Sequence, residues 1–131
     1  MIVVDTSLFV DAQRGRHAAQ ERLDELLARP EDLAVSAMTV LELFAAPRLP
    51  AHWSRFYSRV FAAVEILELD VPSADAGAGL SRDMARRGLK LHSADAAIAG
   101  CAVRNGAALL VTSDADFTEL RGLPVEYIQP S

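Results

Sequence analysis

Residues 109–116 of this chain read Leu-Leu-Val-Thr-Ser-Asp-Ala-Asp, an apolar run followed at once by polar residues. The apolar part predicts a buried strand from Leu109 to Val111, and the residues after it predict a short helix from Asp114 to Leu120. The chain opens with the same arrangement, because a predicted strand from Ile2 to Val4 is followed directly by Asp5. Two strands that are far apart in sequence therefore each lead into a carboxylate.

Between these strands, helical patterns alternate with short apolar runs rich in β-branched residues. This alternation predicts right-handed crossover connections and a parallel sheet covered by helices on both faces. Because the chain has no internal repeat, low-complexity tract or Gly/Ser linker, a single domain over residues 1–131 is expected. The predicted strands are 2–4, 33–36, 66–69, 109–111 and 125–128. The first predicted helix begins at Asp5 and is broken at Gly15. The other predicted helices cover 17–28, 39–45, 53–64, 73–87, 93–105 and 114–120.

Acidic side chains occur where this topology would bring them together. In open parallel sheets, functional sites lie beyond the carboxyl ends of the strands. Asp5, Asp114 and Asp116 follow two such strands. Glu42 and Asp95 are expected in the first turns of helices that begin at the same edge. The sequence therefore predicts that carboxylates distant along the chain meet at one edge of the sheet.

Each acid also has a purely structural explanation. Thr39 and Glu42 have the spacing of a capping box, and Asp95 would interact with the helix dipole if Ser93 were the N-cap. Crowded carboxylates nevertheless repel each other, and a bound cation relieves that repulsion. Carboxylate oxygens suit hard cations, so Mg²⁺ or Mn²⁺ is the expected cofactor.

The charge of the chain gives a mixed indication about nucleic acid. A formal net charge of −5 disfavours a polyanionic partner if the charge is treated as a single sum. Its distribution is more informative, because Arg14, Arg86 and Lys90 belong to short cationic groups suited to phosphate contact. These three residues are therefore candidates for substrate binding.

The cysteine count and the absence of long apolar runs limit the remaining classes. Cys101 is the only cysteine, which excludes an intramolecular disulfide and a multi-cysteine zinc site. No apolar run approaches the length of about 18 residues that a membrane-spanning helix needs. The first residues also lack a basic n-region, so a cytoplasmic location without membrane contact is expected.

Four segments carry a specific resemblance to a known family, and they are Asp5-Thr6-Ser7, Thr39-Val40-Leu41-Glu42, Ser93-Ala94-Asp95 and Thr112-Ser113-Asp114-Ala115-Asp116-Phe117. In order and spacing they resemble the PIN-domain nucleases, and in size and detail the chain resembles the VapC-type toxins of toxin–antitoxin pairs. The resemblance covers essentially the whole chain and implies an α/β fold, a three-layer α/β/α sandwich with a central, mainly parallel sheet.

The resemblance also implies an activity and its partners. It implies an endoribonuclease that uses Mg²⁺ or Mn²⁺ to activate water, often against transfer or ribosomal RNA, and leaves 5′-phosphate and 3′-hydroxyl ends. It further implies a homodimer that is inhibited by a cognate antitoxin, whose C-terminal segment covers the site. Carried over by position, the expected site has Asp5 and Asp95 as metal ligands, Glu42 and Asp114 completing the acidic quartet, Asp116 as a secondary member, and Thr6 and Thr112 as hydroxyl supports.

Two alternatives remain open at this stage. A phospho-aspartate phosphatase or receiver domain also places an aspartate after its first strand. The phosphatase type needs a second aspartate where this chain has Ser7, and both types use a lysine after a late strand, whereas Lys90 precedes a helix. The second alternative is a non-catalytic interaction domain, in which the apolar stripe from Trp53 to Val64 would bind a partner. A stripe of that kind is more often a core face.

Overall fold

The structure, a computed structural model, describes residues 1–129. Residues 130 and 131 of the expected domain lie outside that range. No helix within it is long and apolar enough to cross a lipid bilayer. The strands are β1 (Ile2–Val4), β2 (Leu33–Ser36), β3 (Glu65–Leu67), β4 (Leu109–Thr112) and β5 (Val125–Tyr127). The helices are α1 (Thr6–Gln13), α2 (His17–Leu27), α3 (Ala37–Phe44), α4 (Ala51–Ala63), α5 (Val71–Arg86) and α6 (Ser93–Arg104), with short 3-10 segments at Pro30–Asp32 and Ala115–Glu119.

The five strands form one sheet in the order β3-β2-β1-β4-β5, and every pairing is parallel. The first strand lies in the centre, where Ile2 is paired with Leu33 of β2 on one side and with Leu109 of β4 on the other. This register places the carboxyl ends of β1 and β4 side by side. The predicted parallel α/β topology is confirmed.

Successive residues of the central strands point to opposite faces of the sheet. Val3 and Leu110 belong to an apolar cluster that includes residues of α5 and α6. Their neighbours Val4 and Val111 belong to a second cluster, which includes residues of α1, α2 and α4. Because both faces are covered by helices, the architecture is a three-layer α/β/α sandwich, as the sequence predicted.

The start of α3 differs from the prediction. The Ser36 hydroxyl at the end of β2 accepts a hydrogen bond from the Met38 backbone N–H at 3.0 Å, so the helix begins at Ala37. The predicted capping box of Thr39 and Glu42 is therefore wrong. Thr39 is fully buried inside the helix, and Glu42 lies in its second turn. A hydroxyl directly after the strand had already taken the N-cap position.

The start of α6 also corrects a detail. His92 is the N-cap, and its side chain makes no capping hydrogen bond. The helical hydrogen bonds begin with Ala96 N–H donating to His92 O at 2.8 Å. Ser93 is therefore the first helical residue and not the cap, while Asp95 lies in the first turn as predicted.

The apolar stripe of α4 is a core face. Tyr57 and Val60 are buried, and Trp53, Phe56 and Phe61 pack against the same cluster. The aromatic rings of α4 contact one another at centroid distances between 5.4 and 6.3 Å. The stripe therefore holds α4 on the sheet face that also carries α1 and α2.

Two glycines allow α5 and α6 to pack at close range. A Cβ added to Gly100 would lie 2.3 Å from the Ser73 carbonyl oxygen, and one added to Gly77 would lie 2.4 Å from the Ala96 carbonyl oxygen. No side chain fits at either position without moving a backbone. This contact fixes α6, and with it the first turn that carries Asp95.

Candidate active site

Asp5 lies at the base of the site, directly after β1, and caps α1. Its Oδ2 accepts hydrogen bonds from the Ser7 hydroxyl at 2.6 Å, the Thr112 hydroxyl at 2.7 Å and the Ser7 backbone N–H at 3.3 Å. Asp5 is only 2% exposed. Because all of these bonds go to one oxygen, Oδ1 keeps its lone pairs for a further partner.

Hydrogen bonds between the loops after β1 and β4 fix the two acidic segments relative to each other. The Ser113 backbone N–H donates to Ser7 Oγ at 3.0 Å, and the Asp114 backbone N–H donates to Thr112 Oγ1 at 3.0 Å. Thr112 thus contacts both segments, since its own hydroxyl donates to Asp5. Thr112, which the resemblance implied as a hydroxyl support, therefore lies between the two acidic segments.

Three of the predicted acids form a compact group. Asp95 is in the first turn of α6, Asp114 caps the second 3-10 segment, and Asp116 is in the first turn of that segment. One carboxylate oxygen from each lies within 4.8 Å of the other two. The group includes neither Asp5 nor Glu42. Of the two acids expected to be the principal metal ligands, only Asp95 therefore belongs to it.

The electrostatics of the site are concentrated on Asp95. Burial, together with the negative charges of Asp5, Asp114, Glu42 and Asp116, raises the pKa of Asp95 to about 7. Burial also raises the pKa of Asp5, although the hydrogen bonds to its carboxylate oppose that effect. The cluster therefore resists carrying its full negative charge near neutral pH, and a cation would relieve the repulsion.

Glu42 reaches the site from α3 and is held there by Thr6. The Thr6 hydroxyl lies 2.7 Å from Glu42 Oε1 and 3.0 Å from the Thr39 hydroxyl. A hydroxyl has one proton, and the carboxylate is the stronger acceptor, so Thr6 donates to Glu42. Thr6 therefore orients one oxygen of Glu42 and leaves the second oxygen without this constraint.

Two adjoining clefts contain these side chains. The first has a volume of about 490 Å³ and is lined by four of the predicted acids. The second has a volume of about 560 Å³ and is lined by the remaining acid, Asp116. Ala115 lines both clefts, so they meet at the 3-10 segment. The four acids of the first cleft are Asp5, Glu42, Asp95 and Asp114.

The predicted cationic residues are distributed unevenly around these clefts. Arg14 lines the first cleft together with Arg16, and Lys90 lines the second together with His92. Arg86 is exposed on α5 and lines neither cleft. The structure thus brings two of the three predicted substrate-binding residues to the acidic edge.

Several site residues were not identified from the sequence. Asp11 is 9% exposed and accepts a hydrogen bond from the Ser113 hydroxyl at 2.6 Å. Its other oxygen lies 3.3 Å from Arg16 Nε. Ser7 and Asp11 are four residues apart on α1 and therefore share one face of the helix. That spacing, next to the predicted Asp5, is the signal by which they could have been found.

The donor set fits a hard divalent cation. It consists of carboxylate oxygens that converge from separate elements, three of them within 4.8 Å of one another. Mg²⁺ and Mn²⁺ prefer oxygen ligands of this kind. Asp95, Asp114 and Asp116 are the residues best placed to hold such an ion. Asp5 and Glu42 line the same cleft as Asp95 and Asp114.

Fold and site together define a class, that of α/β/α domains with a carboxylate cluster at the carboxyl edge of a parallel sheet. The model of the PIN domain matches residues 2–123 of the chain. The chain therefore belongs to the PIN-domain family, a family of nucleases. No match is found among curated protein sequences.

Solved structures with the same fold come from toxin–antitoxin systems. The VapBC2 complex of Rickettsia felis, bound to a promoter DNA fragment, has a TM-score of 0.76 at 20% identity and covers 97% of this chain and 98% of its own. A toxin–antitoxin complex from Klebsiella pneumoniae has a TM-score of 0.76 at 22% identity over 100% of both chains. VapC20 of Mycobacterium tuberculosis, described as a toxin that cleaves the sarcin–ricin loop, has a TM-score of 0.64 at 17% identity and covers 90% of this chain and 93% of its own.

Proposed function

We propose that this protein is a divalent-metal-dependent endoribonuclease and the toxin of a toxin–antitoxin pair. The observation that carries the proposal is the approach of Asp95, Asp114 and Asp116 to within 4.8 Å at the carboxyl edge of the sheet. Such a cluster costs free energy in the absence of a cation, because burial and then repulsion by the other acids disfavour the charged form of Asp95 and raise its pKa. The same fold occurs in solved VapBC complexes and in a toxin that cleaves the sarcin–ricin loop.

In the proposed mechanism, Asp95, Asp114 and Asp116 would hold Mg²⁺ or Mn²⁺. Asp5 lies outside that group of three and lines the same cleft as Asp95 and Asp114, where it would add its negative charge to the site. When bound, such an ion lowers the pKa of a water ligand and stabilises negative charge on the phosphate. The hydrogen bonds to Asp5 Oδ2 keep that carboxylate in one orientation. The Thr112 hydroxyl thereby acts on the reaction only through Asp5 and the Asp114 loop, as a positioning group.

Glu42 is the group proposed to accept the proton of the attacking water. Glu42 lines the first cleft, and because Thr6 binds its Oε1, the second oxygen remains available to accept that proton. Water adds to phosphorus, one of its protons passes to Glu42, and the bond from phosphorus to the 3′ oxygen breaks as that oxygen takes a proton from solvent. One product then carries a 5′-phosphate and the other a 3′-hydroxyl.

The test is cleavage of total RNA by the purified protein with and without about 5 mM Mg²⁺ or Mn²⁺. Asp95→Asn removes one charge of the cluster with little change in shape. Asp75→Asn is the matched control, because Asp75 is exposed on α5 and lines neither cleft. We expect metal-dependent cleavage by the wild type and the control, and a loss of at least about 100-fold for Asp95→Asn. Equal cleavage by both variants, or cleavage without a divalent metal, would refute the mechanism.

The proposal also includes two partners. One is a cognate antitoxin that covers the carboxylate cleft, and the other is a second copy of this chain in a homodimer. Large apolar side chains are exposed near the start of α5, where Val71 is 81% and Leu69 41% exposed. Leu69 also lines a cleft of about 600 Å³ between α3, α5 and α6. This surface supports a homodimer. Light scattering of the wild type and of Val71→Asp tests it, and a wild type that stays monomeric at high concentration contradicts it.

The phospho-aspartate alternative is not supported. Ser7 occupies the position two residues after Asp5, and its hydroxyl donates to that carboxylate. The first cleft is lined by two arginines and by no lysine. If the wild type cleaved no RNA, the assay would favour the second alternative, a non-catalytic interaction domain.

A further inference from the structure

Cationic side chains lie on both sides of the carboxylate cluster. Arg14 and Arg16 flank Gly15, whose φ of +83° makes the tight turn between α1 and α2, and both arginines line the first cleft. Lys90 and His92 lie just before α6 and line the second cleft. Arg14 and Arg16 are thus separated from Lys90 and His92 by the carboxylates and the 3-10 segment between the clefts.

Arg16 is tethered in a way that leaves part of its guanidinium available. Its Nε lies 3.3 Å from Asp11 Oδ1, and Asp11 Oδ2 accepts the Ser113 hydroxyl at 2.6 Å. The Arg16 side chain is 44% exposed, whereas that of Asp11 is 13% exposed. A guanidinium has five N–H donors, so the tether holds one edge while the other can bind an anion. Arg14 forms no ion pair with any residue in the described range 1–129.

The lining of the two clefts favours contact with a phosphate backbone over stacking with bases. His92 is the only side chain with an aromatic ring among the lining residues of either cleft. Proteins that bind single strands by stacking use several aromatic rings, whereas cationic grooves follow the phosphates. A polyanion that crosses a cluster of carboxylates also needs positive charge on both sides, since the whole chain has a net charge of −5.

We infer that the adjoining clefts form one continuous path for single-stranded RNA. Phosphates on one side of the cleaved bond contact Arg14 and Arg16, and phosphates on the other side contact Lys90 and His92. The inference rests on the ribonuclease function proposed above and adds the route of the strand. Asp11 has the role of a positioning residue, because it acts on the RNA only through Arg16.

The experiment compares single variants at the two ends of the path. Arg14→Gln and Lys90→Gln test one end each. Arg16→Gln is a further variant that also removes the ion-pair partner of Asp11, which keeps its hydrogen bond from Ser113. Arg29→Gln is the control, because Arg29 lies just before β2, at the opposite edge of the sheet, with a side chain that is 74% exposed. Thermal unfolding of each variant establishes that it is folded. The substrate is a labelled single-stranded RNA of mixed sequence, about 12 nucleotides long.

Two readouts are measured. In steady-state cleavage with Mg²⁺, Arg14→Gln and Lys90→Gln are each expected to raise KM about 5-fold and to leave kcat within about 2-fold. In fluorescence anisotropy on an Asp95→Asn background, each is expected to reduce the slope of log Kd against log salt by about 0.7, the value for one lost phosphate contact on a single strand. Arg29→Gln should change neither quantity.

The possible results separate the inference from the proposed function. Changes in KM and slope at both ends support the path. Unchanged values at either end, in folded variants, overturn it, because the strand then does not cross both clefts. RNA that binds with the expected salt dependence but is never cleaved by the wild type counts against the ribonuclease function alone.

Discussion

Replacing Asp95 with asparagine is expected to stabilise the metal-free protein in a pH-dependent manner. The pKa of Asp95 is raised from 3.8 to about 7, first by burial and then by the negative charges around it. A carboxyl whose pKa is higher in the folded than in the unfolded state binds more protons when folded. The free energy of unfolding therefore falls as pH rises from about 4 to about 7, and Asp95→Asn removes that loss.

The size of the effect follows from the pKa and from the openness of the cleft. At about 1.4 kcal/mol for each pH unit, the rise from 3.8 to about 7 corresponds to an upper limit of about 4 kcal/mol above neutral pH. Asp95 is only half-buried, and solvent and salt screen the repulsion from its neighbours. We therefore expect a gain of about 1–2 kcal/mol at about pH 8.5, which is roughly 4–8 °C in Tm for a chain of this size.

The assay is thermal unfolding of chelator-treated wild type, Asp95→Asn and Asp75→Asn across the range from about pH 4 to about pH 8.5. The stabilisation by Asp95→Asn should be largest at the highest pH and smallest at the lowest, where Asp95 is protonated in the folded state and only partly ionised in the unfolded state. Asp75→Asn should follow the wild type. If Asp95→Asn is destabilised at high pH, or if its effect does not change with pH, the acids do not repel each other as the structure indicates.

Three further predictions concern the support of the site. Thr112→Val should lower the free energy of unfolding by about 1–3 kcal/mol in urea titrations, because Asp5 loses a hydrogen-bond donor and the Asp114 backbone N–H loses its acceptor. Thr112→Ser keeps the hydroxyl and should stay within about 0.5 kcal/mol of the wild type. Equal losses for the two variants would contradict the role of the hydroxyl. Gly100→Ala should cost about 3 kcal/mol, because its Cβ would lie 2.3 Å from the Ser73 carbonyl oxygen. In the same helix pair Gly79→Ala should stabilise by about 0.5–1 kcal/mol, because its Cβ would lie 3.8 Å from the end of the Arg82 side chain, an ordinary contact. Similar effects at both glycines would argue against the close helix contact. Finally, about 5 mM Mg²⁺ or Mn²⁺ should raise the free energy of unfolding of the wild type by about 1–3 kcal/mol relative to NaCl of equal ionic strength. An unchanged unfolding curve would show that the acids do not bind the ion.

Much of the fold followed from local patterns. Short apolar runs alternate with helical periodicities, and this order requires parallel strands with crossover helices on both faces. The sequence alone therefore placed Asp5 and Asp114 at the ends of two strands and Asp95 in the first turn of a helix. It also favoured a core face for the apolar stripe of α4 over a partner-binding surface, because a stripe of that kind is more often buried.

The partners of each acid depended on the assembled sheet. The spacing of Thr39 and Glu42 indicated a capping box. In the folded chain, however, Ser36 is the cap, and Glu42 accepts a hydrogen bond from Thr6, which is 36 residues away. The bond between Asp5 and Thr112 spans 107 residues and exists only because β1 and β4 are adjacent and in register. Local patterns record what each segment does alone, whereas hydrogen bonds between segments depend on which strands become neighbours, and that is settled by burial of the whole core.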